Sequence, residues 1–81
     1  MSLFFEWKIP AKMSYTLLVN GQNQTVADTV QTVTDLIALL GLTGQRIAVE
    51  LDGALVPRSR HASTRLCAGM RVEIVHAVGG G

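Results

Sequence analysis

The sequence is short of almost every group on which an enzyme or a stapled mini-domain relies. Its 81 residues hold one cysteine and two histidines. A single cysteine closes no internal disulfide, and a structural zinc site needs a full set of Cys and His ligands, so neither staple is available. Charged residues make up 16% of the chain, and seven Lys+Arg against six Asp+Glu leave a formal +1. That balance supplies no field for binding phosphate in bulk. Aromatics are 5% of the chain, and Phe4, Phe5 and Trp7 are three of the four. None interleaves with the basic residues, which argues against a nucleic-acid platform. No apolar run nears the roughly 18 residues that span a bilayer; the longest covers positions 36–40. The opening MSLFFEWKIPAK is not a secretory signal either, because its apolar stretch is short, Glu6 interrupts it and no small-residue cleavage site follows. A lone cysteine without an export signal points to the cytoplasm, with no membrane and no nucleic acid among the partners.

What is present is apolar side chain, 48% of residues. That suffices for one small core, in a domain that buries only about 60% of its unfolded surface. A full pocket with a catalytic constellation would be a tight fit, so composition leans toward a carrier or a binding module.

The chain divides into three parts. Residues 1–12, rich in aromatics and closed by Pro10, read as an N-terminal extension, a tag or an alternative start; the rival reading is an added strand or apolar flap packed on the domain. Residues 13–78 carry domain-like patterning, and 79–81 are a Gly-Gly-Gly tail. Tyr15, Leu17 and Val19 alternate with polar or outward positions as in a strand, and Asn20-Gly21 suits a tight hairpin turn. A second strand is expected over 24–27. Thr32 then reads as a helix N-cap with Asp35 three residues on, and Val33, Leu36, Ile37 and Leu40 form one apolar stripe. Gly41 supplies the C-terminal stop, with Leu42 folding back on Ile37. Ile47, Val49 and Leu51 predict a third strand ending at Asp52-Gly53. Leu55-Val56 is a short fourth closed by Pro57, 58–68 a polar loop, and 71–78 the last strand. The order β-β-α-β-(β)-β predicts an α+β fold: a ubiquitin-like β-grasp, with a mixed four- to five-stranded sheet packed on one main helix.

Reactive side chains are few and scattered. Cys67 with His61 or His76 lacks an orienting third group, and a lone cysteine is ordinarily a small buried hydrophobe. Glu50, Asp52 and Glu73 are expected to be solvated on the sheet, where two can approach across strands but no pocket encloses them. Four of the five arginines, Arg58, Arg60, Arg65 and Arg71, lie between positions 58 and 71. They read equally as a docking patch for an acidic surface or as ordinary loop polarity. The final glycines carry the clearest chemical argument. They bury nothing and lose much backbone entropy on ordering, so they serve the fold poorly and read as flexible. A tail without side chains, however, can enter a narrow active site on another protein and present an unhindered carboxylate.

Those features resemble the thiamine-biosynthesis sulfur carrier family, ThiS, over about residues 14–81. The matching stretches are Val19-Asn20-Gly21, Thr32-Val33-x-x-Leu36, Val49-x-x-x-Gly53-x-x-Val56-Pro57-Arg58-Ser59, and Val72-Glu73-Ile74-Val75-x-Ala77-Val78-Gly79-Gly80-Gly81. The chain departs from the family's common residues at Asp52, at His61, where the family often has Trp, and at Met70. The resemblance implies a protein substrate, not an enzyme, with no cofactor of its own. An E1-like adenylyltransferase (ThiF) would activate the Gly81 carboxylate with ATP. A sulfur donor such as a cysteine desulfurase would supply the sulfur of a Gly81 thiocarboxylate, and thiazole synthase (ThiG) would accept it. Gly79 and Gly80 would be the flexible lead, and the exposed members of Leu18, Leu55 and Val75 would dock on partners with Arg58 as a polar contact. The alternatives are a molybdopterin-synthase small subunit-type carrier, which typically has prolines in its last strand, or another ubiquitin-like protein modifier.

Overall fold

The computed structural model describes residues 13–77. The extension expected at 1–12, and Val78 with the Gly79, Gly80 and Gly81 tail, lie outside the described residues. In chain order the elements are β1 (Ser14–Val19), β2 (Gln22–Ala27), α1 (Val33–Leu39), β3 (Ile47–Leu51), β4 (Ala54–Val56) and β5 (Arg71–His76), with a 3-10 turn over Arg58–Arg60. The strands form one sheet in the order β2-β1-β5-β3-β4. β1 and β5 run parallel, and the remaining neighbours are antiparallel. A mixed five-stranded sheet with one helix is the β-grasp arrangement that the patterning predicts.

Two boundaries differ from expectation by two residues. β2 starts at Gln22 because Asn20 (φ 50°) and Gly21 (φ 85°) turn the chain in two residues, which sets Val19 directly opposite Gln22. β5 was expected to reach Val78; its strand ends at His76, although the Ala77 N–H still donates to the Arg46 carbonyl at 2.9 Å.

Alternation puts Leu17 and Val19 of β1, Val49 and Leu51 of β3, Val56 of β4, and Val72 and Ile74 of β5 on the same face. The helix lays Val33, Leu36 and Ile37 onto that face, and Leu17, Leu36, Val33, Val49 and Val72 are wholly buried. The helix is only seven residues long, too short to persist in isolation, so its ends matter. Thr32 Oγ1 accepts from the Asp35 N–H (3.2 Å), while Asp35 Oδ2 accepts from the N–H groups of Thr32 (3.1 Å) and Gln31 (2.9 Å). At the other end the Gly41 N–H donates to Ala38 and the Leu42 N–H to Ile37 (2.9 Å), with Gly41 at φ 75°. This is the paired hydrogen-bond pattern of a Schellman stop.

The cap gives a first prediction. Thr32→Ala leaves the Asp35 N–H without its acceptor and lowers unfolding free energy by about 1 kcal/mol, read as a shifted urea midpoint at constant slope. The backbone N–H of Gln31 first, then that of Thr32, hold the Asp35 carboxyl below its ordinary 3.8. A depressed folded pKa stabilises above the unfolded value and ceases to do so as pH falls through the folded one. The carboxylate's contribution therefore fades on the acid side of 3.8, and because Thr32→Ala keeps both backbone donors the variant shows nearly the same acid decline as the parent.

Candidate functional site

In sequence the glycine tail follows β5, the middle strand of five, a strand held from both sides. On one side, β5 pairs with β3 from Leu51–Val72 to Ile47–His76, and the Ala77 bond to Arg46 extends the ladder by one residue. On the other, the parallel pairing with β1 covers only Leu18–Arg71 and Val19–Val72. The Asn20 side chain lengthens it: Oδ1 accepts from the Ile74 N–H (2.7 Å) and Nδ2 donates to the Ile74 carbonyl (3.1 Å). A residue read from sequence only as a turn former thus also anchors the strand that carries the tail.

Gln45, in the loop before β3, gathers the side chains around the end of that strand. His76 Nε2 lies 2.7 Å from Gln45 Oε1, and Arg58 Nη2 donates to the Gln45 carbonyl at 3.2 Å. Arg58 therefore sits at the end of the sheet where β5 finishes. No sequence pattern marks Gln45, because it belongs to an irregular loop where neither period 2 nor period 3.6 applies.

The face of the sheet away from the helix collects the three apolar residues expected to dock. Register sets Leu18 opposite Arg71, Val75 opposite Ala48, and Leu55 opposite Glu50; all lie off the core face because strand neighbours alternate. Leu55 is 64% and Val75 58% exposed. Leu18 is half-buried instead. Glu50 and Glu73 are direct cross-strand partners on this face, so the two carboxylates do approach. Glu50 is exposed and Glu73 half-buried. Asp52 is spent on the fold, its Oδ1 accepting from the Arg71 N–H at 2.9 Å.

A cleft of about 200 Å³ opens between the end of α1, the loop before β3 and the 3-10 turn; Ile37, Leu42, Ile47, Arg58 and His61 help to line it. His61 is buried, with Nε2 3.2 Å from the Val56 carbonyl; a carbonyl only accepts, so that nitrogen carries the proton. The His61 backbone accepts from the Thr34 N–H (3.1 Å) and donates to the Arg58 carbonyl (3.1 Å). This one residue joins β4, the 3-10 turn and the first turn of α1, a structural task that accounts for its burial.

The remaining reactive groups are kept apart. Arg58 and Arg60 share the 3-10 turn, Arg65 bridges to Thr32 at the start of the helix, and Arg71 stands on the open face of the sheet beside Leu18. The four arginines are thus carried by the 3-10 turn, the segment that bridges to the helix start, and β5. Cys67 is exposed, contrary to the expectation of a buried thiol, because its neighbour Leu66 takes the inward position. Burial, with smaller contributions led by Asp35, raises the Tyr15 hydroxyl above its ordinary 10.0, and that hydroxyl donates to the Val30 carbonyl. Among the described residues no three His, Cys, Asp or Glu side chains form a metal-binding group, and no helix is long and apolar enough to cross a membrane.

Known proteins share this arrangement. The ThiS family model matches residues 17–81. A crystal structure of the thiamine biosynthesis protein (ThiS) from Geobacter metallireducens superposes with a TM-score of 0.71 at 32% identity, covering 82% of this chain and 99% of that one. A thiazole synthase from Paramagnetospirillum magneticum is 34% identical over 65 residues, which are 80% of this chain. The chain spans about a fifth of that relative's length, 20%.

Proposed function

The chain belongs to the ThiS family, and on that footing we propose that it is a sulfur carrier of thiamine biosynthesis whose working group is its own Gly81 carboxylate. The observation that carries this reading is the reach of the family match, which runs through residue 81 and so includes all three tail glycines. The tail's place in sequence, with only Ala77 and Val78 between it and the central strand, adds to it. An E1-like adenylyltransferase brings ATP to the carboxylate. A carboxylate oxygen attacks the α-phosphorus, pyrophosphate leaves, and an acyl-adenylate forms. The terminal sulfur of a donor's persulfide, such as that formed by a cysteine desulfurase, then attacks the acyl carbon and expels AMP, and a thiol cleaves the resulting acyl disulfide, leaving the Gly81 thiocarboxylate and a disulfide on the donor side. Thiazole synthase takes the sulfur. Support for that acceptor comes from the relative bearing that name, one fifth of whose length resembles this chain.

In this scheme the protein is a substrate that must be recognised and whose tail must be led in. Glycine at 79 and 80 presents no side chain to a narrow channel. Leu55 and Val75 supply exposed apolar contact on the face that flanks the tail root, and Arg58 supplies a charge at the same end. The work takes place in the cytoplasm, where the adenylyltransferase and ATP reside.

Intact-mass spectrometry after incubation with ATP, an adenylyltransferase of this class and a sulfur donor tests the reading. The expected product has one oxygen replaced by sulfur, located to Gly81 by fragmentation. An unchanged mass, with partners shown to be active on another carrier, would sink it.

A further inference from the structure

The two edges of the sheet are unlike each other. β4 is three residues long and is followed at once by Pro57, so it offers little free backbone. β2 closes the other edge with six residues in unbroken register with β1, from Val19–Gln22 to Ser14–Ala27. Its sequence, Gln-Asn-Gln-Thr-Val-Ala, contains no charge and no proline, and positions 22–25 are all exposed. Natural proteins blunt such edges with lysine, proline, a bulge or a covering loop; among the described residues β2 has none of these.

The ladder fixes which backbone groups point outward. The Asp28 N–H donates to Met13 (2.9 Å), while the N–H groups of Leu18 and Asn20 donate to Met70 (3.0 Å) and Val72 (2.8 Å) on the far side of β1. Odd-numbered residues of β1 therefore turn their backbone toward β2. Bonded and non-bonded pairs alternate in an antiparallel ladder, so the bonded partners are Val26, Gln24 and Gln22. The N–H and C=O groups of Asn23, Thr25 and Ala27 face away from the sheet. Among the described residues only the Ala27 carbonyl has another taker, the Val30 N–H at 2.9 Å.

We propose that this edge is a homodimer interface, in which a second copy of the chain lays its β2 antiparallel to the first about a two-fold axis at Thr25, joining the two sheets into one. An axis normal to the sheet keeps both helices on the same side, which requires facing residues of like parity. Centring on Thr25 satisfies this and opposes Thr25 to Thr25 and Asn23 to Ala27, engaging all three outward-facing residues, with the Ala27 carbonyl shared with the Val30 N–H. Centring on Gln24 would set Ala27 against Gly21 in the turn and lose those bonds. A second copy fits because the uncharged strand meets no like charge in its twin, and the Thr16–Thr25 hydroxyl contact (3.2 Å) continues as a threonine row across the axis. The pairing is isologous, so it uses up the edge and stops at two chains. β2 lies at the opposite end of the strand order from β4, so the dimer leaves Leu55 and Arg58 uncovered.

Sedimentation velocity of the full chain from micromolar to millimolar, with amide exchange followed by NMR, tests this. The expected result is a dimer at the upper end, with Asn23, Thr25 and Ala27 amides gaining protection as concentration rises while Gln22 and Gln24 are protected throughout. Thr25→Pro removes an outward N–H without touching the β1 ladder, and Asn23→Lys adds an edge charge with no backbone change. Each should raise the dimerisation midpoint by about tenfold or more, with circular dichroism unchanged for Asn23→Lys. A monomer at every concentration overturns the proposal. So does a dimer that survives Asn23→Lys, or one in which the Asn23 and Thr25 amides exchange at the free rate.

Discussion

Removing Gly81 abolishes sulfur loading and thiamine-independent growth, yet leaves the urea unfolding midpoint where it was. The two halves of this expectation have separate causes. Stability is untouched because the buried core runs from Leu17 to Ile74 and the last described ladder bond is made by Ala77. Loading is lost through length. Docking fixes the root of the tail, and a residue of extended chain spans about 3.5 Å, so the shortened carboxylate stops that far short of the α-phosphorus. Reacting atoms must come within roughly 3–3.5 Å, and a misplacement of about 1 Å already costs on the order of a hundredfold. Gly81→Ala keeps the length and adds one methyl group beside the reacting carbon, so it should load more slowly than the parent but measurably. Thiocarboxylate yield by intact mass ranks the three proteins. Retained loading at Gly80 in the deletion would mean that the site does not measure tail length, and the proposed geometry of transfer would fall.

The fold could be read from sequence where periodicity and local chemistry agree. Thr32 with Asp35, the 33-36-37-40 stripe, Gly41 and the Asn20-Gly21 turn each state a local preference that tertiary packing does not oppose, and all stand where they were placed. The outward positions of Leu55 and Val75 were legible for the same reason. What escaped depends on contacts between distant loops. Gln45 reaches His76 and Arg58 with its side chain and carbonyl, Asn20 completes β5 with its amide, and His61 ties three elements together. None of these is periodic, and each residue type is ordinary for a loop. Cys67 was misjudged because burial tendency belongs to the residue type, whereas here the neighbouring Leu66 takes the inward place.

Leu36→Ala should be the most destabilising single change in the domain. Leu36 is wholly buried at the middle of the helix stripe, and a Leu→Ala truncation in a closed core costs about 2–5 kcal/mol from lost transfer energy and the remaining cavity. The helix has seven residues, so it has few other contacts over which to spread that loss, and among the described residues the sheet has no second layer to replace it. Small domains carry roughly 0.05–0.15 kcal/mol per residue, which makes the loss a large fraction of the total. The urea midpoint should fall steeply at unchanged slope, and at physiological temperature a substantial part of the chain should be unfolded. The defect in function differs from that of the tail deletion. Gly81 is intact, so the fraction that remains folded should load sulfur at the parental rate, and lowering the temperature from physiological toward about 15 °C, near the usual stability maximum, should recover the yield. Leu36→Met keeps the volume and should cost less than about 1.5 kcal/mol. If Leu36→Ala folded fully but failed to load, the helix face would have to contribute to partner recognition directly, and the separation of a buried scaffold from a working tail would not hold.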